Sequence, residues 1–582
     1  MTNFASMLQS TQIDNLVALG RSEFDASHEH TVLRDLNAAL PSPIQRMRPD
    51  IVGDTHASKI CPAELEDGSW ALFAIPNYAN GDIYRLAYTA CTNASSSKVP
   101  PAPFIVTPTL LLELSNSGNG IVVGKGKDDT SAFTDAFREI IAWGILNGAS
   151  DAHLNVSEGE PYSQVRFSIE NQYLSPSRWS MPTERLKEIL NVAWQSSKGG
   201  VGSVFSHKSE TQCRVEVDVS GKVMGRWSGM AADRGASVTL RLLRVDAKTV
   251  IKPLPDLGYF PSQVEEFDRA QKSEGGAIIL AGVVGSGKTV TLGTLISRIP
   301  SNRKIISIED PVELILPGVL QNTVTRSLED EQNDPFTAKL MTLKRSAPHD
   351  IYLGEIRDLK TGLAFQDITA SGTKLYTTTH AMSAMQIAEK LYSASIGVPT
   401  DYLSSPGVLS LLVYQILLPN LCAHCSKPIS SLVEEQGVDS MGIARSGDYW
   451  RAYIDRIADL YKLDADQIRV RSVDGCPVCK RADLPQLNGY LGRSAVAEFI
   501  DPTTNREVLR QIRDRNMLAL QEHLESLERS AVTDPNMDNK SLMEVGMYKV
   551  FHGMHDPRDL EIKGTSFQGI ERLRRSLTRR SA

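Results

Sequence analysis

The chain has 582 residues, 41% of them hydrophobic and 23% charged, which is typical of a folded globular protein and excludes a disordered one. Its 62 basic and 69 acidic residues give a formal net charge of −7, so no overall basic charge favours nucleic-acid binding. The longest apolar stretch, residues 408–418, is too short to span a bilayer, and no charged segment followed by an apolar core opens the chain. These features predict a cytoplasmic protein of three or four domains.

The first part of the chain predicts a small mixed domain followed by a linker. Residues 70–75 and 83–88 are rich in apolar and aromatic side chains, which favours strands in an N-terminal domain over residues 1–93. Two functions stay open for this domain, a docking module or a stabilising appendage. Residues 94–103 are rich in Ser and Pro, which is typical of a linker.

A second small domain is predicted over residues 104–250. Apolar side chains recur at spacings of three and four over residues 130–146, which predicts a helix. Residues 165–169 and 238–243 predict strands, so the domain belongs to the α+β class. Residues 253–258, which begin with Pro and end with Gly, connect it to the next domain.

A glycine-rich loop lies between a strand predicted at residues 277–281 and a helix predicted at residues 290–296. In this P-loop context, backbone N–H groups wrap a phosphate at the positive end of a helix. Lys288 then reaches the β- and γ-phosphates, and the Thr289 hydroxyl binds Mg²⁺. The predicted nucleotide-binding residues are Gly282, Gly285, Ser286, Gly287, Lys288 and Thr289.

Three more apolar strands end in the polar residues Glu309, Glu355 and His380. Open α/β sheets bind ligands at this end of their strands, and phosphoryl transfer needs one carboxylate near Mg²⁺ and another for the attacking water. We therefore predict that all three residues are catalytic. Each acidic cluster alone would indicate a helix cap or a solvated loop, and His380 alone a structural histidine. The strands are predicted at residues 304–308, 351–353 and 374–379.

Two Cys-x-x-Cys pairs predict a zinc site. A helix with one apolar face, predicted within residues 450–461, lies between them. The alternatives are four unrelated buried thiols, or a redox role for one pair. The predicted zinc ligands are Cys422, Cys425, Cys476 and Cys479.

Four segments in this order resemble the secretion traffic ATPases, specifically the GspE/PulE group that powers type II secretion and type IV pilus assembly. They resemble its Walker A box at 282–289, its acidic Asp box at 308–313, its Walker B box at 354–358 with Glu355 in the usual Asp position, and its His box at 370–380. Weaker similarity extends over about residues 104–565, and includes segments 149–154, 165–167, 489–498 and 546–550.

The resemblance implies an α/β fold with a RecA-like P-loop core, in which a parallel sheet carries helices on both faces. It places this core at residues 251–421, after the small domain, which it makes PAS-like, and before a zinc-binding insertion at 422–479 and a helical region at 480–582. It further implies a homo-hexamer that uses ATP, Mg²⁺ and Zn²⁺ and works on an inner-membrane platform protein, peripheral to that membrane and with no nucleic-acid partner. Glu355 would be the metal-side carboxylate and Glu309 the water-orienting one, although these two roles could be exchanged.

An arginine from outside the P-loop is expected to complete the site, because it balances charge on the transferred phosphoryl group. Arg357 follows Glu355 and is predicted to face away or to pair within its own helix. Arg241 and Arg234 of the small domain are the predicted candidates. The alternative is that both make ordinary surface ion pairs.

The chain also departs from the family pattern. Gly372-Thr373 replaces the usual Gly-His, Ala347-Pro348-His349 replaces Asp-Pro-Asp, and few basic residues remain in 336–341. The cysteine insertion favours an assembly or secretion motor over a retraction motor. A P-loop nucleic-acid translocase or helicase is the main alternative function, and a non-hydrolysing regulator is disfavoured by the retained Lys288 and Glu355.

Overall fold

The computed structural model describes residues 40–52, 56–57, 59–79, 81–95, 99–108, 110–111, 114, 129–198, 205–219, 221–244, 251–324 and 335–581. The chain divides into two compact units. The first comprises the described residues up to Ile169 together with Ser175–Leu243, and the second comprises Glu170–Leu174 and the chain from Arg244 onward. The finer division into domains stays a prediction, and part of the predicted linker, residues 96–98, lies outside the described residues.

The first unit contains a four-stranded sheet in the order β1-β2-β3-β4, in which only β3 and β4 are parallel. The predicted strand at residues 83–88 is wrong, because this segment belongs to helix α1. Tyr84, Ala87 and Cys91 are buried at spacings of three and four, which is the helical period, and it continues beyond the predicted strand. The elements are β1 Ile44–Met47, β2 Ile60–Leu65, β3 Trp70–Ala74, α1 Asp82–Ala94 and β4 Ala102–Ile105.

The second sheet of the first unit has the order β6-β5-β12-β11-β10-β9, and β8 also pairs with β6. The helix and strands predicted from apolar spacing are present. Trp143 on α2 packs on Phe167 of β6 with ring centroids 4.7 Å apart, so the helix covers one face of the sheet. The elements are α2 Asp129–Leu146, β5 Ala149–Asn155, β6 Tyr162–Ile169, β8 Ser180–Pro182, α3 Thr183–Gln195, β9 Ser197–Lys198, β10 Thr211–Asp218, β11 Lys222–Ala232 and β12 Gly235–Arg244. Strand β7, Gln172–Leu174, follows β6 in the chain and belongs to the second unit.

The second unit is built on a seven-stranded sheet in the order β15-β14-β16-β17-β13-β18-β21. All neighbours in it are parallel except β18 and β21. Strand β21 corrects two expectations, because it adds an antiparallel neighbour to the predicted parallel sheet and lies within residues 480–582, which were predicted to be helical. The strands are β13 Ala277–Ala281, β14 Ile305–Glu309, β15 Val319–Thr323, β16 Asp350–Leu353, β17 Lys374–Thr379, β18 Leu409–Leu421 and β21 Tyr490–Ile500, with a separate pair of β19 Lys427–Pro428 and β20 Arg469–Val470.

Helices cover both faces of this sheet, as predicted for a RecA-like core. Strand β13 shows why, since Ile279 packs into one apolar cluster and Ile278 and Leu280 into another, on the opposite face. No described helix is both long and apolar enough to cross a bilayer. The helices are α4 Leu254–Leu257, α5 Pro261–Lys272, α6 Lys288–Ser297, α7 Pro335–Lys344, α8 Leu359–Ala370, α9 Gln386–Tyr392, α10 Thr400–Leu403, α11 Ser431–Glu434, α12 Gly447–Tyr461, α13 Arg506–Arg513, α14 Met517–Ser526, α15 Leu542–Phe551, α16 Pro557–Lys563 and α17 Phe567–Ser581.

Candidate active site

The glycine-rich loop joins the end of β13 to the start of α6, as predicted. Gly282 and Gly287 have φ of 154° and 84°, where side chains are strongly disfavoured. A Cβ on Gly282 would lie 2.4 Å from the Gln415 carbonyl oxygen, so the second reason for glycine here is close packing against β18. The backbone of the loop is thereby free to follow a phosphate at the helix N-terminus.

The Gln415 side chain of β18 holds this loop by hydrogen bonds. Its side-chain amide donates to the Ser286 carbonyl over 2.6 Å, and its oxygen accepts from the Tyr259 hydroxyl over 2.6 Å. Tyr259 also lies 3.1 Å from the Thr291 hydroxyl on α6. Sequence reasoning did not find Gln415, although a lone Gln inside the apolar stretch at 408–418 was the available signal.

Lys288 stands at the start of α6 and turns its ammonium group into the loop. Nζ donates to the carbonyls of Gly282 and Val283 over 2.8 and 3.2 Å. Burial lowers the pKa of Lys288 to about 8, while the nearby carboxylates of Glu355 and Glu313 oppose that shift. Because this value lies above 7, the side chain is mostly protonated near neutral pH and can pair with a phosphate.

The Ser286 hydroxyl is buried and has no hydrogen-bond partner in the part of the chain that the structure describes. A buried polar atom is normally paired, so an unpaired donor inside a phosphate-binding loop fits a ligand oxygen. Together with the protonated Lys288, it makes the loop suited to hold a nucleotide phosphate.

Two carboxylates of the acidic segment that begins at the last residue of β14 take different positions. Glu309 is only 5% exposed, and its Oε1 accepts from the Ser307 hydroxyl at 2.5 Å and from the Gln321 amide at 3.1 Å. The pKa of Glu309 is raised, because the effect of burial is larger than that of the hydrogen bonds, which lower it. Glu313 is the acid that reaches the loop, since its Oε2 accepts from the Thr289 hydroxyl over 3.1 Å. The predicted catalytic set omitted Glu313, because its place beyond the strand end gave no sign of this contact.

Glu355 and His380 meet at the ends of the adjacent strands β16 and β17. The distance from His380 Nε2 to Glu355 Oε1 is 3.3 Å. Burial and the charge of Lys288 lower the pKa of His380, and Glu355 raises it. The Thr378 hydroxyl donates to the Gly354 carbonyl over 2.8 Å, which ties the two strand ends together.

Arg357 makes one contact near its own helix, as predicted, and one that was not predicted. Its Nε lies 3.9 Å from Asp358 at the N-cap of α8, and its guanidinium also donates to Asp310 over 3.1 Å, which links the Walker B and Asp boxes. Both partners come from the ends of neighbouring strands, β16 and β14, and the Arg357 side chain is 43% exposed.

Arg241 and Arg234 both form ion pairs inside the first unit. Arg241 Nε lies 3.0 Å from Asp151 Oδ1 across the β12–β5 pair. Arg234 lies 3.6 Å from Glu160, and its side chain is 81% exposed. Their part in a nucleotide site stays a prediction.

The four predicted zinc ligands lie together. Their Sγ atoms are all within 4.8 Å of one another, and the closest pairs are 3.6–3.8 Å apart. A tetrahedral centre with metal–sulfur bonds of about 2.3 Å places its sulfurs about 3.8 Å apart, so the cluster fits zinc. The backbone N–H groups of Cys476 and Gly489 also donate to Cys479 Sγ over 3.2 and 3.3 Å. The cluster consists of Cys422, Cys425, Cys476 and Cys479.

A phosphate loop with Lys and Thr at a helix start, beside carboxylates and a histidine at the ends of parallel strands, defines a P-loop ATPase with a RecA-like core. The model of the family described as Type II/IV secretion system protein matches residues 127–544. The chain belongs to this family, and the resemblance found in the sequence is confirmed.

Named relatives agree with that assignment. Type II secretion system protein E of Pectobacterium carotovorum subsp. carotovorum is 26% identical over 67% of this chain and 69% of its own. Type IV pilus assembly ATPase PilB of Pseudomonas aeruginosa is 26% identical over 62% of this chain and 56% of its own. About a third or more of each of these two relatives therefore lies outside the matched region. The crystal structure of the pilus retraction motor PilT with bound ADP has a TM-score of 0.45 and 18% identity, over 75% of this chain and 98% of that one. The family model and the relatives found by sequence give no support to the nucleic-acid translocase.

Proposed function

We propose that this chain is the ATP-hydrolysing, hexameric motor of a machine that assembles a pilus or secretes proteins. The observation that carries the proposal is the convergence of Lys288, the Thr289–Glu313 pair and the Glu355–His380 pair at one edge of a parallel sheet. Charged groups fixed in advance at this edge are what phosphoryl transfer requires, because the protein contributes mainly positioning and electrostatic stabilisation.

Each residue then has a role that its contacts support. Lys288 pairs with the β- and γ-phosphates, and Mg²⁺, when bound with ATP, neutralises charge between them. Thr289 and Glu313 would hold that ion, because their oxygens already meet at 3.1 Å. Glu355 and Glu309 divide the metal-side and water-orienting roles, with Glu355 on the metal side, as the resemblance to the family implies.

The four-cysteine cluster is proposed as a structural zinc site. Four thiolates fill a tetrahedral centre and leave no open position for water or substrate. The sulfur spacing supports this assignment over disulfides or separate thiols. The site would fix the loops between β18 and β21, from which all four ligands come.

The remaining parts of the proposal concern assembly and place in the cell. A homo-hexamer, an inner-membrane platform protein as partner, and a cytoplasmic location at the inner membrane are what the resemblance to secretion traffic ATPases implies. The relatives are named for type II secretion and type IV pilus assembly, which supports a role in one of these machines. The relatives named for type II secretion and for type IV pilus assembly are both 26% identical to this chain, so the proposal includes both machines.

The test is steady-state ATP hydrolysis by the purified full-length protein with and without Mg²⁺, together with light scattering. We expect Mg²⁺-dependent turnover, a hexamer in the presence of nucleotide, and no stimulation by single-stranded DNA. Absence of hydrolysis would contradict the ATPase proposal, and a strong DNA stimulation would favour the translocase instead.

A further inference from the structure

The loop that follows His380 is held by hydrogen bonds to other elements of the second unit. Residues 381–385 connect the end of β17 to helix α9 without regular structure. Side chains hold this loop, since the Met382 N–H donates to Gln386 Oε1 over 3.1 Å and the Ala384 N–H donates to Glu498 Oε1 over 2.8 Å. Ala384 itself is fully buried, so its position is fixed on all sides.

Glu498 reaches this loop from β21, where it pairs in register with Tyr414 of β18. Its second oxygen, Oε2, accepts from the Leu542 N–H over 3.0 Å, at the first turn of helix α15. The first N–H groups of a helix lack partners within the helix, and an anion there is favoured by the helix dipole. Burial raises the pKa of Glu498, while the two N–H groups lower it by stabilising the ionised form.

A helix cap alone would require only one of these two bonds. The cap position of α15 is already served by Ser541 and Glu544, which form a reciprocal capping box. Capping of α15 therefore does not explain the hydrogen bond from the Ala384 N–H to Glu498. Ala384 lies four residues after His380.

We propose that Glu498 is a positioning residue for ATP hydrolysis, which holds the 381–385 loop and through it the His380–Glu355 contact. The inference rests on the proposed function, because it assigns Glu498 to the same active site. A carboxylate accepts at both oxygens, whereas the side-chain amide of the E498Q variant would offer one acceptor and one donor group and must lose one of the two bonds. Displacement of a group near the chemistry lowers turnover without changing phosphate binding by Lys288.

The experiment is a double-mutant cycle in the full-length protein with E498Q, His380→Ala and the combined variant. We expect E498Q to lower kcat about 10- to 100-fold, as misplacement of a catalytic group does, with the Kd for ADP unchanged. In the His380→Ala background the E498Q change should have no further effect. The exposed Glu522 gives the matched control, and Glu522→Gln should retain wild-type turnover.

Several results would overturn the inference. They are wild-type kcat in E498Q, or an equal further loss when E498Q is added to His380→Ala. If E498Q does not bind ADP, the cycle is repeated with Glu498→Asp, which keeps both acceptors, and additivity there also refutes the proposal. Wild-type turnover in His380→Ala would instead refute the role of His380 in the proposed function, which separates the two failures.

Discussion

The phosphate-binding edge and the four-cysteine cluster lie in the same unit, but they differ in how far their polar atoms are exposed and paired. At the edge, the Ser286 hydroxyl has no partner among the described residues, and the side chains of His380 and Glu355 are 46% and 33% exposed. In the cluster, four sulfurs face one another and Cys479 also accepts two backbone N–H groups. One site is open and the other is closed.

This difference separates a site of turnover from a site of stability. A site that binds and releases a nucleotide in every cycle needs donors that its own fold leaves unpaired, although an unpaired buried group costs stability. A metal site with four protein ligands has no position for a substrate and stabilises the fold instead. Variants at the edge should therefore change turnover and leave folding intact, while variants at the cluster should do the reverse.

The largest effect on turnover is expected for Lys288→Ala, which should lower kcat at least ~10³-fold because it removes charge stabilisation of the phosphates. The thermal midpoint should stay at or above that of the wild type, since a buried lysine with a lowered pKa is destabilising when charged. Steady-state ATPase assays and thermal unfolding measure both. Lys272 is exposed, and Lys272→Ala is the control. Wild-type turnover in Lys288→Ala would contradict the assignment of the nucleotide site.

Glu355→Gln should lower turnover by ~10²-fold, because a carboxylate beside Lys288 and His380 is lost. The pKa of His380 should fall further, since Glu355 raises it in the native protein. Kinetics and NMR titration of the histidine measure these effects. Glu309→Gln is the comparison, and a larger loss there would assign the metal-side role to Glu309 and exchange the two proposed roles.

Cys476→Ser should remove the zinc and lower the free energy of unfolding by about 3 kcal/mol, as loss of a structural metal does. Elemental analysis of wild-type protein prepared without chelator should give one zinc per chain. Cys213→Ala, at a cysteine outside the cluster, should keep the metal. Zinc-free wild-type protein would contradict the metal assignment. Loss of turnover in folded Cys476→Ser would contradict the claim that the cysteine cluster affects stability and not turnover.

Arg241→Ala should have a smaller effect, about a 10-fold loss of turnover, because this arginine is predicted to supply part of the charge at the phosphates. Arg234→Ala should change little, because an exposed ion pair of 3.6 Å contributes little. ATPase assays and light scattering test both variants. Near-normal turnover in both, with an unchanged oligomer, would show that the first unit does not complete the site.

Local patterns predicted much of the second unit. The strands at β13, β14, β16 and β17 and the helix after the phosphate loop were predicted within one or two residues, because buried parallel strands read as short apolar runs. The same reasoning failed at α1, because a short apolar segment is compatible with a strand or a helix, and only the length of the whole periodic segment distinguishes them. It also missed β21, whose antiparallel pairing joins Leu412 to Ile500 and Leu421 to Tyr490, residues that lie far apart in the chain.

The sequence by itself determined the residues that carry local chemistry. The glycine-rich loop, Lys288, Thr289 and the two cysteine pairs are defined by short spacings, and a short spacing fixes which groups share one turn. Only the tertiary structure decided which distant side chains meet them. Glu313 and not Glu309 contacts Thr289, Gln415 braces the loop, and Glu498 holds the segment after His380. These contacts join different strands and loops, and their pairing follows from the order of strands in the sheet, which no local pattern encodes.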